Sequence, residues 1–232
     1  MKKQIPYLII AVAIILLGLT IKAGMDNFSY RDRLVSVRGL AEKEVMANKV
    51  TWPIVIKQVG NSLNEIYSGV QKTNSTILEF LKANGIEESE ISVNAPELVD
   101  IRADRYNTNP IPYNYNLTSV IVVSSSKVDL VRSLIAKQME LLRDGVAIVN
   151  GGYQYPVKYE YTDLNSIKPE MIAEATAKAR EAGQQFATDS KSRLGKIKTA
   201  SQGQFSISDR DENTPYIKKV RVVSNIQFYL ED

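Results

Sequence analysis

Hydrophobic positions are laid out along this chain in two styles. After Met1-Lys2-Lys3 they form a solid block, an uncharged run from Ile5 to Ile21 whose roughly 17 residues reach the lower limit for one helix to cross a bilayer. The only small-x-small cleavage candidate, Ile21-Lys22-Ala23, puts a large residue where a small one is preferred, so residues 1–22 read as an uncleaved anchor ahead of a cleaved signal segment or a buried core helix. Lys2, Lys3 and the amino terminus on one flank, against mixed Lys22, Asp26, Arg31, Asp32 and Arg33 on the other, favour the N-in, C-out orientation. Residues 23–32 show neither helix nor strand period and read as a linker, with the fold starting near Arg33.

Beyond the linker the apolar positions become periodic. Leu34 to Val45 and Val50 to Val59 read as strands, and Pro53, which has no N–H for a ladder, predicts an edge position or a bulge there. Ser62 with Glu65 forms a capping-box pattern, after which Leu63, Ile66, Tyr67, Val70, Ile77 and Leu81 recur at helical spacing until Asn84-Gly85. Strands follow at Ile91 to Arg102 and Leu117 to Ser124, separated by a Pro/Asn-rich loop over Asn107 to Asn116. Ser126 with Asp129 opens a second helix that ends at Asp144-Gly145. Tyr153, Tyr155, Val157, Tyr159 and Tyr161 alternate strictly with Gln154, Pro156, Lys158, Glu160 and Thr162, which predicts a strand. A third helix is expected from about Ser166 to Ser192, with Pro169 in its first turn and alanines that allow close approach to a sheet. Two strands close the chain, Lys196 to Ser208 and Ile217 to Leu230, around a loop at Asp209 to Pro215. The order β-β-α-β-β-α-β-α-β-β predicts an α+β domain over residues 33–232, with mainly antiparallel sheet and helices packed on one side.

Composition narrows the chemistry. The chain has 232 residues, 24% charged and 44% hydrophobic, which fits a domain that folds in water. Its net charge of +3 comes from dispersed basic residues rather than a stripe, which argues against a nucleic-acid partner. There is no Cys and no His, so no thiolate nucleophile, disulfide or Cys-ligated zinc is available, and the commonest general base is missing.

Five segments together resemble the SIMPL-domain family, which includes the periplasmic immunogenic protein group: VSVRGLAEKEV at 35–45, ILEFLKANGIEESEISV at 77–93, YNLTSVIVVSSSKVDLVRSLI at 115–135, AEATAKAREAGQQFATDSKSRLGKI at 173–197 and VRVVSNIQFYL at 220–230. The family opening usually carries a second Gly where Ala41 stands and a Pro where this chain has Asn48. The resemblance implies an exported or membrane-anchored α+β protein without an established catalytic site, self-associating in some members and loosely linked to envelope or oxidative-stress protection. It supplies no catalytic residues.

Three local patterns remain. Ser124 and Lys127 have the S-x-x-K spacing of Ser-Lys acyl hydrolases, with Lys198-Thr199-Ala200 standing where such an enzyme wants K-T-G; capping of the next helix by Ser125 or Ser126 explains the cluster without chemistry. Asp209, Asp211, Glu212 and Asn213 gather oxygen ligands without the glycine and terminal glutamate of a calcium loop, so a solvated turn is the better reading. The tyrosine row Tyr153, Tyr155, Tyr159 and Tyr161, joined by Tyr113 and Tyr115, is the candidate interaction face, set against the alternative that the rings are packed under a helix. No residue is assigned to catalysis, a cofactor or a metal. The expected protein is non-enzymatic, seated in the inner membrane with its domain in the periplasm, or cleaved and released there or to the outer membrane. It acts as a homo-oligomer or on an envelope partner, with a ligand- or glycan-binding module on the tyrosine face as the alternative.

Overall fold

A computed structural model describes residues 5–29, 33–103 and 112–231; within the first helix, side chains are described for 12–22, 24 and 25. The elements in order are α1 (Ile5–Ser29), β1 (Leu34–Met46), β2 (Lys49–Gly60), α2 (Leu63–Ala83), β3 (Ile91–Val93), β4 (Glu97–Asp100), β5 (Tyr115–Ser125), α3 (Val128–Lys137), α4 (Met139–Arg143), β6 (Ile148–Val149), β7 (Lys158–Glu160), α5 (Leu164–Asp189), β8 (Arg193–Gln202), β9 (Ser206–Asp209) and β10 (Ile217–Glu231). The fold is α+β with antiparallel pairing, but its strands form two sheets rather than one, and the chain divides into two compact units. α1 continues through residues 23–29, where the sequence shows no period. Among the described residues no helix is long and apolar enough to cross a membrane.

One unit comprises Met1–Lys43, Asn165–Ile207 and Val220–Asp232, and its sheet runs β1-β10-β8 with β9 also on β10. From Lys218 to Leu230 every second residue of β10 is buried, the two-residue period of a strand with one covered face. Ile226, Phe228 and Leu230 pack with Val35 of β1 and with Ala179 and Ala187 of α5. The small residues of α5 bring its backbone onto the sheet: a Cβ on Gly39 would lie 1.8 Å from the Ala175 carbonyl oxygen and 2.5 Å from the Ala179 nitrogen. Pro169 sits inside α5 as its sixth residue, two positions deeper than the sequence suggests, because the helix starts at Leu164.

The other unit comprises Glu44–Leu164 and Ser208–Lys219. Its sheet is organised on β2 and β5, paired antiparallel from Val50↔Ser125 to Gly60↔Tyr115. β3 and β4 add to the free side of β5, and β6 and β7 to that of β2. Val50, Trp52, Ile54 and Ile56 share a face with Leu117, Ile121 and Val123, and buried residues of α2, α3 and α4 close over that face. The expected strand over 91–102 is cut at Pro96 into β3 and β4, and the second helix breaks at Gln138. The loop expected at Asn107 to Asn116 lies largely outside the described residues, and Tyr115 and Asn116 belong to β5.

Helix ends explain where the chain turns. Gly85 (φ 89°) and Gly145 (φ 82°) close α2 and α4 with paired bonds, Ile86 N–H to Leu81 O with Gly85 N–H to Lys82 O, and Val146 N–H to Leu141 O with Gly145 N–H to Leu142 O. α5 ends the same way, with Ser192 N–H on Ala187 O, but Lys191 (φ 55°) occupies the left-handed position. The expected side-chain cap from Ser62 is not made.

Two stability effects follow. Gly39→Ala forces β1 and α5 apart and lowers thermal stability by about 3 kcal/mol, whereas Lys191→Gly relieves a left-handed side-chain conformation and raises it by about 1 kcal/mol. Denaturant unfolding of the two variants checks both signs.

Candidate functional site

The site begins with a gap in a sheet. β7 pairs with Lys49, Val50 and Thr51, β6 pairs with Val55 and Ile56, and among the described residues no strand faces residues 52–54 between them. The N–H of Asn94 donates to the Val120 carbonyl at 3.0 Å, so even-numbered residues of β5 turn their backbone groups toward β3; Pro53, paired with Val122, then turns its own toward the gap. The proline thus stands at a stretch of β2 where a missing N–H costs no ladder bond, a local edge between two paired stretches of the strand.

Residues 150–157 bridge the gap as a tight turn. Gly152 N–H donates to Asn150 Oδ1 at 2.9 Å, Tyr155 N–H donates to Gly151 O at 3.2 Å, and Gly152 takes φ 56°. A Cβ on Gly151 would come within 2.5 Å of Tyr155 Cβ, so the turn is packed against itself. Two clefts flank Tyr155. The larger, about 430 Å³, is lined by Trp52, Pro53, Ile135, Gln138, Pro156 and Val157 among others. The smaller, about 210 Å³, is lined by Lys57, Glu97, Asn116, Thr118 and Gln154 among others, and Asn150, Gly151 and Tyr155 border both.

The tyrosine row does not form one strand face. Gly151, Gly152 and Pro156 break the alternation, and only Lys158–Glu160 is strand. Tyr153 is fully exposed at the tip of the turn, while Tyr155 folds back beside the clefts. Tyr159 turns to the helix-covered core, edge-on to Tyr216 with ring centroids 6.2 Å apart, and the Arg132 guanidinium lies 3.4 Å from the centre of the Tyr216 ring. Burial pushes the Tyr159 hydroxyl above its ordinary pKa against the opposing pull of Arg132. Tyr161 is half-buried, Tyr115 packs on the core from the first residue of β5, and Tyr113 is exposed ahead of it. Sequence reasoning missed Trp52, Gln138 and Asn150. Asn150-Gly151-Gly152 was the available signal, because that triplet favours a turn over a strand.

The family model for SIMPL, described as a protein of unknown function (DUF541), matches residues 35–227. The chain belongs to the SIMPL family. No curated protein matches it. Both clefts lie inside the SIMPL region, as does Gly39 in the opening motif.

The Ser-Lys spacing of this SIMPL chain is occupied by a charge network. Lys127 Nζ is 2.7 Å from Glu87 Oε1, 3.2 Å from Glu90 Oε2 and 3.3 Å from the Gly85 carbonyl oxygen. Hydrogen bonds to Glu87 and Glu90 hold its pKa above the ordinary value, so the ammonium keeps its proton, the opposite of what a general base needs. Ser124 is exposed, whereas Ser125 is buried, donating to Glu90 Oε1 at 2.6 Å and accepting the Lys127 N–H at 2.9 Å. Lys198-Thr199-Ala200 lies in β8, in the other unit.

In the acidic loop, Asp211 is turned onto its own turn. It accepts from the Thr214 hydroxyl, from Arg210, and from the Asn213 and Thr214 amides, and the Thr214 bond leads the causes that hold its pKa down to about 2. Asp209 pairs with Lys218. Among the described residues no group of three or more Asp and Glu side chains is placed to hold a metal.

For Glu90, desolvation opposes ionisation, but bonds from Ser125, the Glu87 N–H and Lys127 outweigh it and lower the pKa. Stability from this carboxylate is therefore present above its unfolded pKa and lost as pH falls through the lower folded one. Ser125→Ala brings the Glu90 pKa back toward the ordinary range and flattens the rise of stability with pH across that window. A carboxyl NMR titration combined with acid denaturation reads both.

Proposed function

We propose that this SIMPL protein works in the bacterial cell envelope, with α1 as its membrane-seated segment and the residues from about 33 onward outside the cytoplasmic membrane, acting by binding rather than catalysis. The observation that carries the reading is the surface of α1. Val12, Ile14, Ile15, Leu16, Leu17, Leu19 and Ile21 are each 50–63% exposed, and four of them are consecutive, so they take up every side of the helix. Over residues 12–22 the helix has no polar face for water and no covered face for a core, and it calls for an apolar surrounding. The eleven consecutive described side chains, 12–22, cover about 16 Å at ~1.5 Å per residue, and the uncharged sequence continues to Ile5 on their N-terminal side.

Action by contact, on a second copy or on an envelope partner, fits the absence of Cys and His and the charge-locked state of Lys127. Tyr153 is the leading contact residue, because a fully exposed ring on a self-packed turn reaches a partner without reordering the backbone.

Fractionation of cells tests the placement. The full chain stays in the membrane pellet through alkaline carbonate extraction and is digested by added protease only once the outer membrane is opened, and a chain lacking residues 1–22 is found in the soluble cytosolic fraction. Recovery of the full chain from the cytosol overturns the reading.

A further inference from the structure

We propose that the 430 Å³ cleft under the 150–157 turn binds a neutral saccharide. This goes beyond the envelope reading and stands independently of where the chain resides.

The cleft lies where, among the described residues, the β2 edge is unpaired for three residues between β7 and β6. At about 3.4 Å per residue that vacancy spans roughly 10 Å, too short to accept an added strand but wide enough for a compact ring. Its volume falls within the ~300–1,000 Å³ of small-molecule sites. The turn above it is fixed before any ligand arrives, by the Asn150–Gly152 and Gly151–Tyr155 bonds and the close packing of Gly151, so binding needs no loop ordering.

The lining selects the chemical class by elimination. Among the described residues it contains no Asp, Glu, Lys or Arg, so a charged ligand would lose its hydration with no counter-charge in return. A purely aliphatic ligand is also a poor match, since it would cover two carboxamides. Gln138, at the break between α3 and α4, has no side-chain hydrogen bond among the described residues, and Asn150 uses only its Oδ1, on Gly152. Leaving such groups covered and unpaired costs about 1–3 kcal/mol each. Most of the remaining lining side chains are ring or hydrocarbon, Trp52, Tyr155, Pro53, Pro156, Ile135 and Val157 among them. A ligand with C–H faces and a hydroxyl rim satisfies both sets, which describes a pyranose. The smaller cleft across Tyr155, with Lys57 and Glu97, is the one suited to charge.

The molecule carries its own reporter, because Trp52 is the only tryptophan of the chain and lines this cleft. The full chain, held in a zwitterionic detergent free of sugar headgroups, is titrated with chitobiose, cellobiose and maltose, with glucuronate, adenosine and hexanol as controls. The readouts are Trp52 emission and the chemical shift of its indole N–H. The expected result is a saturable response to at least one of the three disaccharides, with a dissociation constant of about 1 mM, near −4 kcal/mol. Gln138→Ala weakens it about tenfold, and Lys57→Ala leaves it unchanged. Gln138 is half-buried and lies at a helix break, so the circular dichroism and unfolding midpoint of Gln138→Ala are read beside its affinity, and a second variant, Gln138→Leu, which keeps side-chain bulk without the carboxamide, weakens binding likewise. The proposal is overturned by the absence of a saturable response to all three disaccharides at tens of millimolar. It is equally overturned by a Gln138→Ala affinity equal to that of the unaltered chain, or by a stronger response to any control than to the sugars.

Discussion

The pairing of β2 with β5 governs the unit that holds the clefts. Running without interruption from Val50↔Ser125 to Gly60↔Tyr115, it fixes which side chains of both strands face the helices and which face away. A slip of one residue would set Ile54 opposite a neighbour of Ile121 and so turn one of the two strands over, taking either Ile54 or Ile121 out of the core. Because the register is held by so many buried positions, the flanking strands need contribute little, and β6 and β7 are only two and three residues long. The gap between them is thus tolerated by a sheet whose stability resides elsewhere.

The same economy is visible in the ionic cluster at the end of β5. Ser125 ends the strand, and its hydroxyl ties Glu90 to the first turn of α3 through the Lys127 N–H, while Lys127 closes the circuit onto Glu87 and Glu90. The spacing that suggests a nucleophile and its base serves here to join a strand end, a helix start and the turn before β3. The Glu90 side chain is 14% exposed, so burial strengthens its contacts relative to an ordinary surface pair. A short polar motif carries chemistry or architecture according to which of its members keeps a proton.

Long, one-sided periods were legible in the sequence. α2 and β10 follow their patterns because each buries a single face over ten residues or more, and burial is what the pattern records. The tyrosine segment misled for the complementary reason. Alternation over 153–161 describes where side chains would point if the backbone were extended, but Gly152 in the left-handed region and Pro156 without an N–H keep it from being so. The division of the strands between two sheets was hidden as well, since strand order says which segments are extended and not which pair. The clefts were illegible for the same reason: Trp52, Gln138 and Tyr155 meet only through the non-local register of β2 with β6 and β7.

Gly39 has a wider implication. A side chain of any size at that point of β1 would collide with the main chain of α5, not with a movable neighbour, so a relative that keeps this helix crossing must keep a glycine there whatever ligand it has acquired or lost. The opening VSVRGLAEKEV therefore marks a way of seating a helix on a strand. Sorting SIMPL chains by what they do will need residues from the turn at 150–157, where nothing in the helix crossing dictates the choice.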